Sequence, residues 1–454
     1  MHTLEQLRAG ELNGARHLKL SENLTTFPLE ILSLKETLEV LDLTGNQLSS
    51  LPDELAECTK LRIIFCSENR FTELPEVLGR CPALTMVGFK ANQIEVVPPK
   101  SLPARLRWLI LTDNAIERLP DELGQCTSLR KLMLAGNRLT ELPASLAHCQ
   151  RLELLRIAAN RIAEFPAWLL SLPRLAWLAY SGNPFAEGWE RQVGAEAAVD
   201  EIPWHELEIG ALLGQGASGA IHRAEWHPEL GQAARQPQSL ALKLFKGAVT
   251  SDGLPAAEMR AAMAAGRHPA LIEVMGRVSD HPSGIPALGM ALIDPAFVNL
   301  AGPPSLESCT RDVYPEGLAL SLSAALAMAS QVASAAAHLH GSGVMHGDLY
   351  GHNILHDGQG AALLGDFGAA SCYPRDDQAL AAALERLEVR AFGCLLEELL
   401  ALCPGQGREL HELERLVLAC LQPEAVLRPG FAAICVRLAE CREPLETVPA
   451  EATA

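Results

Sequence analysis

Asp348, Asn353 and Asp366 stand five and then thirteen residues apart, within His346-Gly-Asp-Leu-Tyr-Gly-His-Asn-Ile-Leu355 and the following Asp366-Phe367-Gly368. An acid in such a loop can accept a proton from a hydroxyl, while an amide and a second acid offer the hard oxygen atoms that Mg2+ prefers. A metal held there would compensate the charge on a nucleotide's phosphates. Upstream, Leu213-Gly-Gln-Gly-Ala-Ser-Gly-Ala-Ile221 carries Gly214, Gly216 and Gly219. Glycines let a backbone approach a phosphate with no Cβ in the way. A dinucleotide-binding loop with the same spacing opens a helix, but residues 220–226 alternate in polarity and predict a strand. The next segment, Leu240-Ala-Leu-Lys243-Leu-Phe245, predicts an apolar strand with one lysine. Such a lysine is tolerated opposite phosphates and a carboxylate.

In this order the elements resemble the eukaryotic-type protein kinase family over residues 204–440. The resemblance implies a bilobal α+β protein-kinase fold that uses ATP and Mg2+. It makes Asp348 the catalytic base, Lys243 the grip on the α- and β-phosphates, and Glu258, in a helical stretch over 256–265, the residue that holds Lys243. Asn353 and Asp366 become the metal ligands. The ATP site would comprise Leu213, Gly214, Gln215, Gly216, Ala217, Ser218 and Gly219 of the loop, with Ile221 and Ala241 above the adenine and Leu355 below it. Met290 would be the gatekeeper and Ala291-Leu292-Ile293 the hinge. His268-Pro269, the stretch from Glu388 to Glu397 as a buried central helix, and Pro423 with Arg428-Pro429 complete the likeness.

The departures carry information as well. Family members often place an arginine before the catalytic acid, where it pairs with a phosphate on the activation segment; here Gly347 stands. Activation by that route is therefore not expected, although Ser371 and Tyr373 are available acceptors. Tyr350 replaces the lysine usual in serine/threonine kinases, and Gly351 and His352 replace the next proline and glutamate. His-Gly-Asp-Leu also resembles small-molecule kinases of the aminoglycoside and choline type. Only twenty-two residues separate Asp366 from Glu388, with no Ala-Pro-Glu motif between them, so the platform for a peptide substrate is shortened. Arg428, whose usual glutamate is missing, must find another carboxylate or stay solvated.

The first part of the chain obeys a different rule. Asn23, Asn46, Asn69, Asn92, Asn114, Asn137, Asn160 and Asn183 recur every 23 residues, once 22, each in the frame L-x-x-L-x-L-x-x-N. Pro52, Pro75, Pro98, Pro120, Pro143 and Pro166 follow six residues after an asparagine. This is the pattern of a leucine-rich repeat array, an α/β solenoid with a curved parallel sheet. Its leucines stack inside, and each asparagine satisfies buried backbone groups. The expected organisation is a repeat domain over 1–185 with a cap at 1–14 and eight repeats, a linker at 186–203, the kinase-like domain at 204–440 and a tail at 441–454. The whole resembles a bacterial-style leucine-rich repeat serine/threonine kinase with a His-Gly-Asp loop.

Positions between the repeat leucines face the concave side of such a sheet. They supply an apolar stripe of Phe65, Met86, Trp108, Ile110, Met133, Leu154 and Trp177, which predicts a surface for a protein substrate or regulator, or an intramolecular contact with the kinase domain. Cys58, Cys81, Cys126 and Cys149 each fall twelve residues after a repeat asparagine, which places them in the repeat core rather than in a metal cluster. With no signal peptide and no C-x-x-C pair among twelve cysteines, a reducing cytoplasm is expected. A net charge of −18 and a pI near 5.3 disfavour nucleic acid and anionic membrane as partners. The uncharged stretch 317–344 has the length of a membrane span, yet runs directly into the His346 loop and is expected to be a buried helix feeding it. The leading expectation is an ATP- and Mg-dependent kinase of protein hydroxyls, serine and threonine before tyrosine. The alternatives are a nucleotide-binding pseudokinase scaffold and a kinase of small-molecule hydroxyls.

Overall fold

Every repeat frame yields one three-residue strand. In the computed structural model, which describes residues 2–196, 199–216, 218–228, 236–247, 249–250, 252–404 and 408–446, these are β1 (His17–Lys19), β2 (Val40–Asp42), β3 (Ile63–Phe65), β4 (Met86–Gly88), β5 (Trp108–Ile110), β6 (Lys131–Met133), β7 (Leu154–Arg156) and β8 (Trp177–Ala179). Strands β1 to β7 pair in parallel in chain order, in register. Matching positions therefore stack about 4.8 Å apart, and the column Leu18, Leu41, Ile64, Val87, Leu109, Leu132, Leu155 is buried. The asparagines act as expected. Asn137 donates from Nδ2 to the Leu111 and Leu134 carbonyls (2.8 and 3.0 Å) and accepts the Ile116 N–H on Oδ1 (3.1 Å). After Pro52, Pro75, Pro120 and Pro143 the chain makes a short 3₁₀ turn ending at Cys58, Cys81, Cys126 and Cys149, all buried. Helix α1 (Leu4–Arg8) caps the array, with Thr3 and Gln6 forming a reciprocal capping box.

The concave stripe is less open than the sequence suggests. Met86, Trp108, Met133, Leu154 and Trp177 are buried, and only Phe65 and Ile110 keep partial exposure. Register is one reason: Met86, Trp108, Lys131 and Leu154 occupy one cross-strand row. The Lys131 ammonium lies 4.3 Å from the Trp108 ring centroid. Gly88 leaves room for the Phe65 ring, which a Cβ there would meet at 2.5 Å.

The chain divides into two units, Met1–Leu175 with Gly182–Phe185, and Ala176–Ser181 with Ala186–Ala454. Strand β8, in the last repeat frame, thus belongs to the second unit. So does the whole segment expected to be a linker, and its described residues form helix α2 (Glu187–Glu196) and strand β9 (Glu201–Pro203). Buried Glu190 of α2 pairs with Arg260 at 2.5 Å. Ile202 of β9 is fully buried over Gly276 and Gly289, where a Cβ would strike its side chain at 2.7 Å. Acidity and alanine content suggested a loose connection; paired charge and a fitted isoleucine override that composition.

The small lobe is one sheet of β10 (Leu207–Gln215), β11 (Gly219–Trp226), β12 (Gln238–Phe245), β13 (Val274–Ser279), β14 (Ala287–Ala291) and β9, in the order β10-β11-β12-β14-β13-β9. Strand β9 joins β13 in parallel, and the other pairings are antiparallel. Helix α3 (Pro255–Ala264) follows β12. The large lobe contains β15 (Val298–Asn299), helix α4 (Leu322–Gly341), β16 (Val344–Met345), β17 (Ile354–His356), β18 (Ala362–Leu364), β19 (Ser371–Cys372) and helices α5 (Gln378–Ala401), α6 (Arg408–Cys420) and α7 (Phe431–Glu446). Helix α4 is long and apolar enough to cross a membrane by length and composition alone. Here Ser321 caps it, it packs on α5 and α7, and it delivers the chain through β16 to His346.

Candidate active site

Strand β12 and helix α3 bring a lysine and a carboxylate together. Lys243 forms an ion pair with Glu258, whose side chain is only 3% exposed. Burial pushes the Glu258 carboxyl above its ordinary pKa; the adjacent Lys243 charge pulls it back, and Asp366 adds repulsion. Lys243 thus meets the Glu258 carboxylate, and Asp366 lies near enough to Glu258 for its charge to be felt there.

The glycines divide by role. A Cβ at Gly214 or Gly216 would meet nothing within 4 Å, so the space beside this loop is open. A Cβ at Gly219 would run into the Leu244 carbonyl, so that glycine serves the close pairing of β11 with β12. Ala217 lies outside the described residues. Leu213 and Gln215 are exposed, Ser218 and Ile221 partly so. Ala241 is buried opposite Met290 in the β12–β14 register, Ala291 and Leu292 follow on, and Leu355 sits on β17 with partial exposure.

Below them lies the loop of Asp348. Asn353 donates from Nδ2 to the Asp348 main-chain oxygen and to Asp348 Oδ2, both at 2.8 Å, which leaves the amide oxygen of Asn353 as its acceptor. Asp366 has a left-handed backbone (φ 56°) and an exposed carboxylate, and its Oδ1 accepts the Gly368 N–H at 3.0 Å. An amide oxygen and an exposed carboxylate fit Mg2+, which binds through one or two carboxylates plus phosphates rather than through an all-protein cage. No cluster of three or more His, Cys, Asp or Glu able to hold a metal occurs among the described residues.

Two residues matter here that the sequence did not mark. His352 donates from Nδ1 to Asp312 Oδ1 at 2.7 Å, and its main-chain N–H donates to Oδ2 at 2.9 Å. Its Nε2 lies 3.9 Å from Asp348 Oδ2. Burial disfavours the imidazolium, but the Asp312 hydrogen bond and the charges of Asp348 and Asp366 outweigh it, so the His352 pKa is raised. An imidazole with a raised pKa therefore stands beside the candidate base, where the sequence showed only a missing family residue. Glu388, 1% exposed, is the other. Its carboxylate accepts the main-chain N–H groups of Gly347 (2.6 Å) and His346 (3.1 Å) and the His340 Nε2–H (2.8 Å). Burial pushes this carboxyl up, yet the His340 ring, the His346 ring and the Gly347 N–H win, and its pKa is lowered.

The departures also take physical form. Gly347 has φ +73°, and a Cβ there would stand 2.5 Å from the Ala369 carbonyl oxygen and 2.6 Å from that of Leu178. Tyr350 is buried, with its hydroxyl donating to the Thr310 carbonyl at 3.1 Å and its ring stacked on Trp177 at 4.2 Å. Ser371 and Tyr373 are buried and bonded: Ser371 Oγ accepts the Tyr180 N–H at 3.0 Å, and the Tyr373 hydroxyl is 2.7 Å from His340 Nδ1. Arg428 is not solvated. It is buried and donates to the carbonyls of Gln422, Arg386 and Pro423 (2.8, 3.0 and 3.3 Å).

Comparison with known proteins agrees with this geometry. Residues 207–392 match the family of protein tyrosine and serine/threonine kinases, and residues 37–58 and 104–162 match leucine-rich repeat families. Kinase suppressor of Ras 2 from Homo sapiens is 27% identical over 174 residues, covering 38% of this chain and 16% of that protein. CBL-interacting protein kinase 22 from Oryza sativa is 32% identical over 186 residues, 38% of each chain. Serine/threonine-protein kinase mos from Gallus gallus is 26% identical over 189 residues, 40% of this chain and 52% of that protein. The match thus spans about half or less of the length of these relatives. The chain carries leucine-rich repeats followed by a domain of the protein tyrosine and serine/threonine kinase family.

Proposed function

We propose that the chain is an ATP- and Mg-dependent kinase of serine and threonine hydroxyls on proteins, acting in the cytoplasm, with the repeats recruiting a substrate or regulator. The observation that carries this reading is the Asp348–Asn353 bond and the Lys243–Glu258 pair, with Asp366 near enough to Glu258 and His352 for its charge to act on both, and the loop of Asp348 anchored by Glu388. A relative named as a serine/threonine-protein kinase supports the choice of acceptor. Mg-ATP, when bound, supplies the transferable phosphoryl group and the charge compensation for its transfer. Lys243 orients anionic oxygens, and Glu258 keeps the lysine extended into the cleft. Asn353 holds Oδ2 and so orients the Asp348 carboxylate, which takes the proton of an incoming hydroxyl. The His352 imidazole beside Asp348, when protonated, offsets negative charge there, a task that Tyr350, turned into its stack, does not perform.

That buried Tyr350 favours the second reading, a nucleotide-binding scaffold with little turnover. One experiment separates the two. The purified full-length protein is incubated with labelled ATP and Mg2+, phosphate is located by mass spectrometry, and Mg-ATP affinity is measured alongside. The kinase reading expects transfer in wild type, its near-elimination in Asp348→Asn, and affinity within a few-fold. Binding without transfer in wild type overturns it in favour of the scaffold.

A further inference from the structure

The segment Ala176–Ser181 carries more than a place in a repeat frame. All six of its residues are buried, and its polar contacts converge on the two stretches that flank Asp348. Trp177 Nε1 donates to the carbonyl of Leu349, the residue after the base, at 3.1 Å. Its indole lies on the Tyr350 ring at 4.2 Å with an interplanar angle of 8°. On the other side, the Tyr180 main-chain N–H donates to Ser371 Oγ, and its hydroxyl donates to the Cys372 carbonyl at 3.2 Å. Between them the Leu178 and Ala369 carbonyls approach Gly347 so closely that only glycine fits.

We propose that Ala176–Ser181 is a built-in brace for the active site, with Trp177 and Tyr180 as positioning residues that hold the catalytic loop and the activation segment in their working arrangement. The proposal deepens the kinase reading and rests on it for its catalytic consequence. The segment's contacts fall on residues 347, 349 and 350 of one stretch and on 371 and 372 of the other, and the Ala369 carbonyl of that second stretch closes on Gly347. They therefore fix the backbone on both sides of the base without touching it. An arginine paired with a phosphate could do this work only where the loop has room for an arginine and the activation segment has an accessible hydroxyl. Here Gly347 leaves no room, and the Ser371 and Tyr373 hydroxyls are buried and already bonded. The brace replaces the phosphate, and the arrangement persists without a modifying enzyme.

The test uses the full-length protein and three variants, Trp177→Ala, Trp177→Phe and Tyr180→Phe. Hydrogen exchange is followed in peptides covering 346–353 and 369–373, with kcat and the KM for Mg-ATP measured in parallel. Trp177→Ala should speed exchange in both peptides and lower kcat about 10- to 100-fold, because a misplacement near 1 Å in an active site has effects of that size. The KM for Mg-ATP should stay within about twofold, since Lys243 and the glycine loop are untouched. Trp177→Phe keeps a ring on Tyr350 and should recover most of the rate. Tyr180→Phe should loosen only the 369–373 peptide. Unchanged exchange in both peptides of Trp177→Ala overturns the brace, and so does a parallel loss at the centre of α5, which would mark plain destabilisation. If Trp177→Ala does not fold, the two phenylalanine variants decide by the same exchange readout. A wild type that transfers no phosphate defeats the kinase reading, while the exchange comparison still judges the brace.

Discussion

Glu388→Gln keeps the volume of the side chain that anchors the catalytic loop and removes its charge. The carboxylate receives three donors in a site that is 1% exposed: Gly347 N–H on Oε1, and His346 N–H with His340 Nε2–H on Oε2. A glutamine has one oxygen. Its amino group must face either Gly347 N–H or the other two donors, so at least one buried donor loses its acceptor. An unsatisfied buried donor costs about 1–3 kcal/mol, and breaking a buried charged network about 3–5 kcal/mol. Roughly 2–4 kcal/mol is therefore expected for Glu388→Gln. Amide exchange at the core of α5 reads that loss for the second unit at pH 7. The pH dependence has a defined sign. The folded pKa of Glu388 is depressed, so its contribution is complete above the unfolded value, about 4.3, and is lost as pH falls through the lower folded value. The gap between wild type and variant should hold from pH 7 to about 5 and narrow below about 4. Because the anchored groups are main-chain atoms next to Asp348, kcat should fall more than Mg-ATP affinity. A difference under about 0.5 kcal/mol, the size of an ordinary surface change, would refute the anchoring argument. So would a gap that persists unchanged in acid.

Lys243→Met and Asp366→Ala should each abolish phosphoryl transfer with the fold retained, because the first removes a cation facing the phosphates and the second a carboxylate that would hold Mg2+; circular dichroism and transfer assays on the purified variants check this, and a wild-type rate in either rejects the site. Phosphatase treatment should leave the rate unchanged, and intact-protein mass spectrometry should find Ser371 and Tyr373 unmodified, since both hydroxyls are buried and bonded. Native alkylation at pH 8 should spare Cys58 and Cys126, whose thiols burial pushes up to about 11, and Cys149, Cys372 and Cys420, pushed up to about 12. The partly exposed Cys403, Cys435 and Cys441 should react first, and early labelling of Cys149 or Cys420 would contradict the packing.

Legibility in the sequence followed how local each physical demand is. The repeat array was plain because every turn leaves the same backbone groups to satisfy, and asparagine answers at each turn with the same bonds, as Asn46, Asn137 and Asn160 do. The Lys243–Glu258 pair and the loop that joins Asp348 to Asn353 were legible because residues of restricted type stand there at fixed spacing. The structure within 186–203 was not legible because composition names no partner: Glu190 is acidic and buried, and it pairs with Arg260 of α3. Asp312 was invisible for the same reason. It is one acid in an irregular stretch, forty residues before the histidine it holds.

Gly347 shows where the two kinds of demand meet. As a letter in a motif it was a missing arginine, an absence that argued against phosphate-driven activation. In space it is a left-handed residue pressed between two carbonyls, that of Leu178 in the segment that carries Trp177 and Tyr180, and that of Ala369 in the stretch that Tyr180 holds. A Gly347→Arg change would therefore restore the family's residue type without its function. The new Cβ would have to displace both carbonyls, and the backbone would adopt a conformation that a branched or long side chain resists. The loop before Asp348 would shift, the Trp177–Tyr350 stack would open, and the rate would fall rather than gain dependence on phosphorylation. A variant that kept its rate and became phosphatase-sensitive would mean that the activation segment can rearrange to accept an arginine, and the glycine would then be a tolerated replacement instead of a steric requirement.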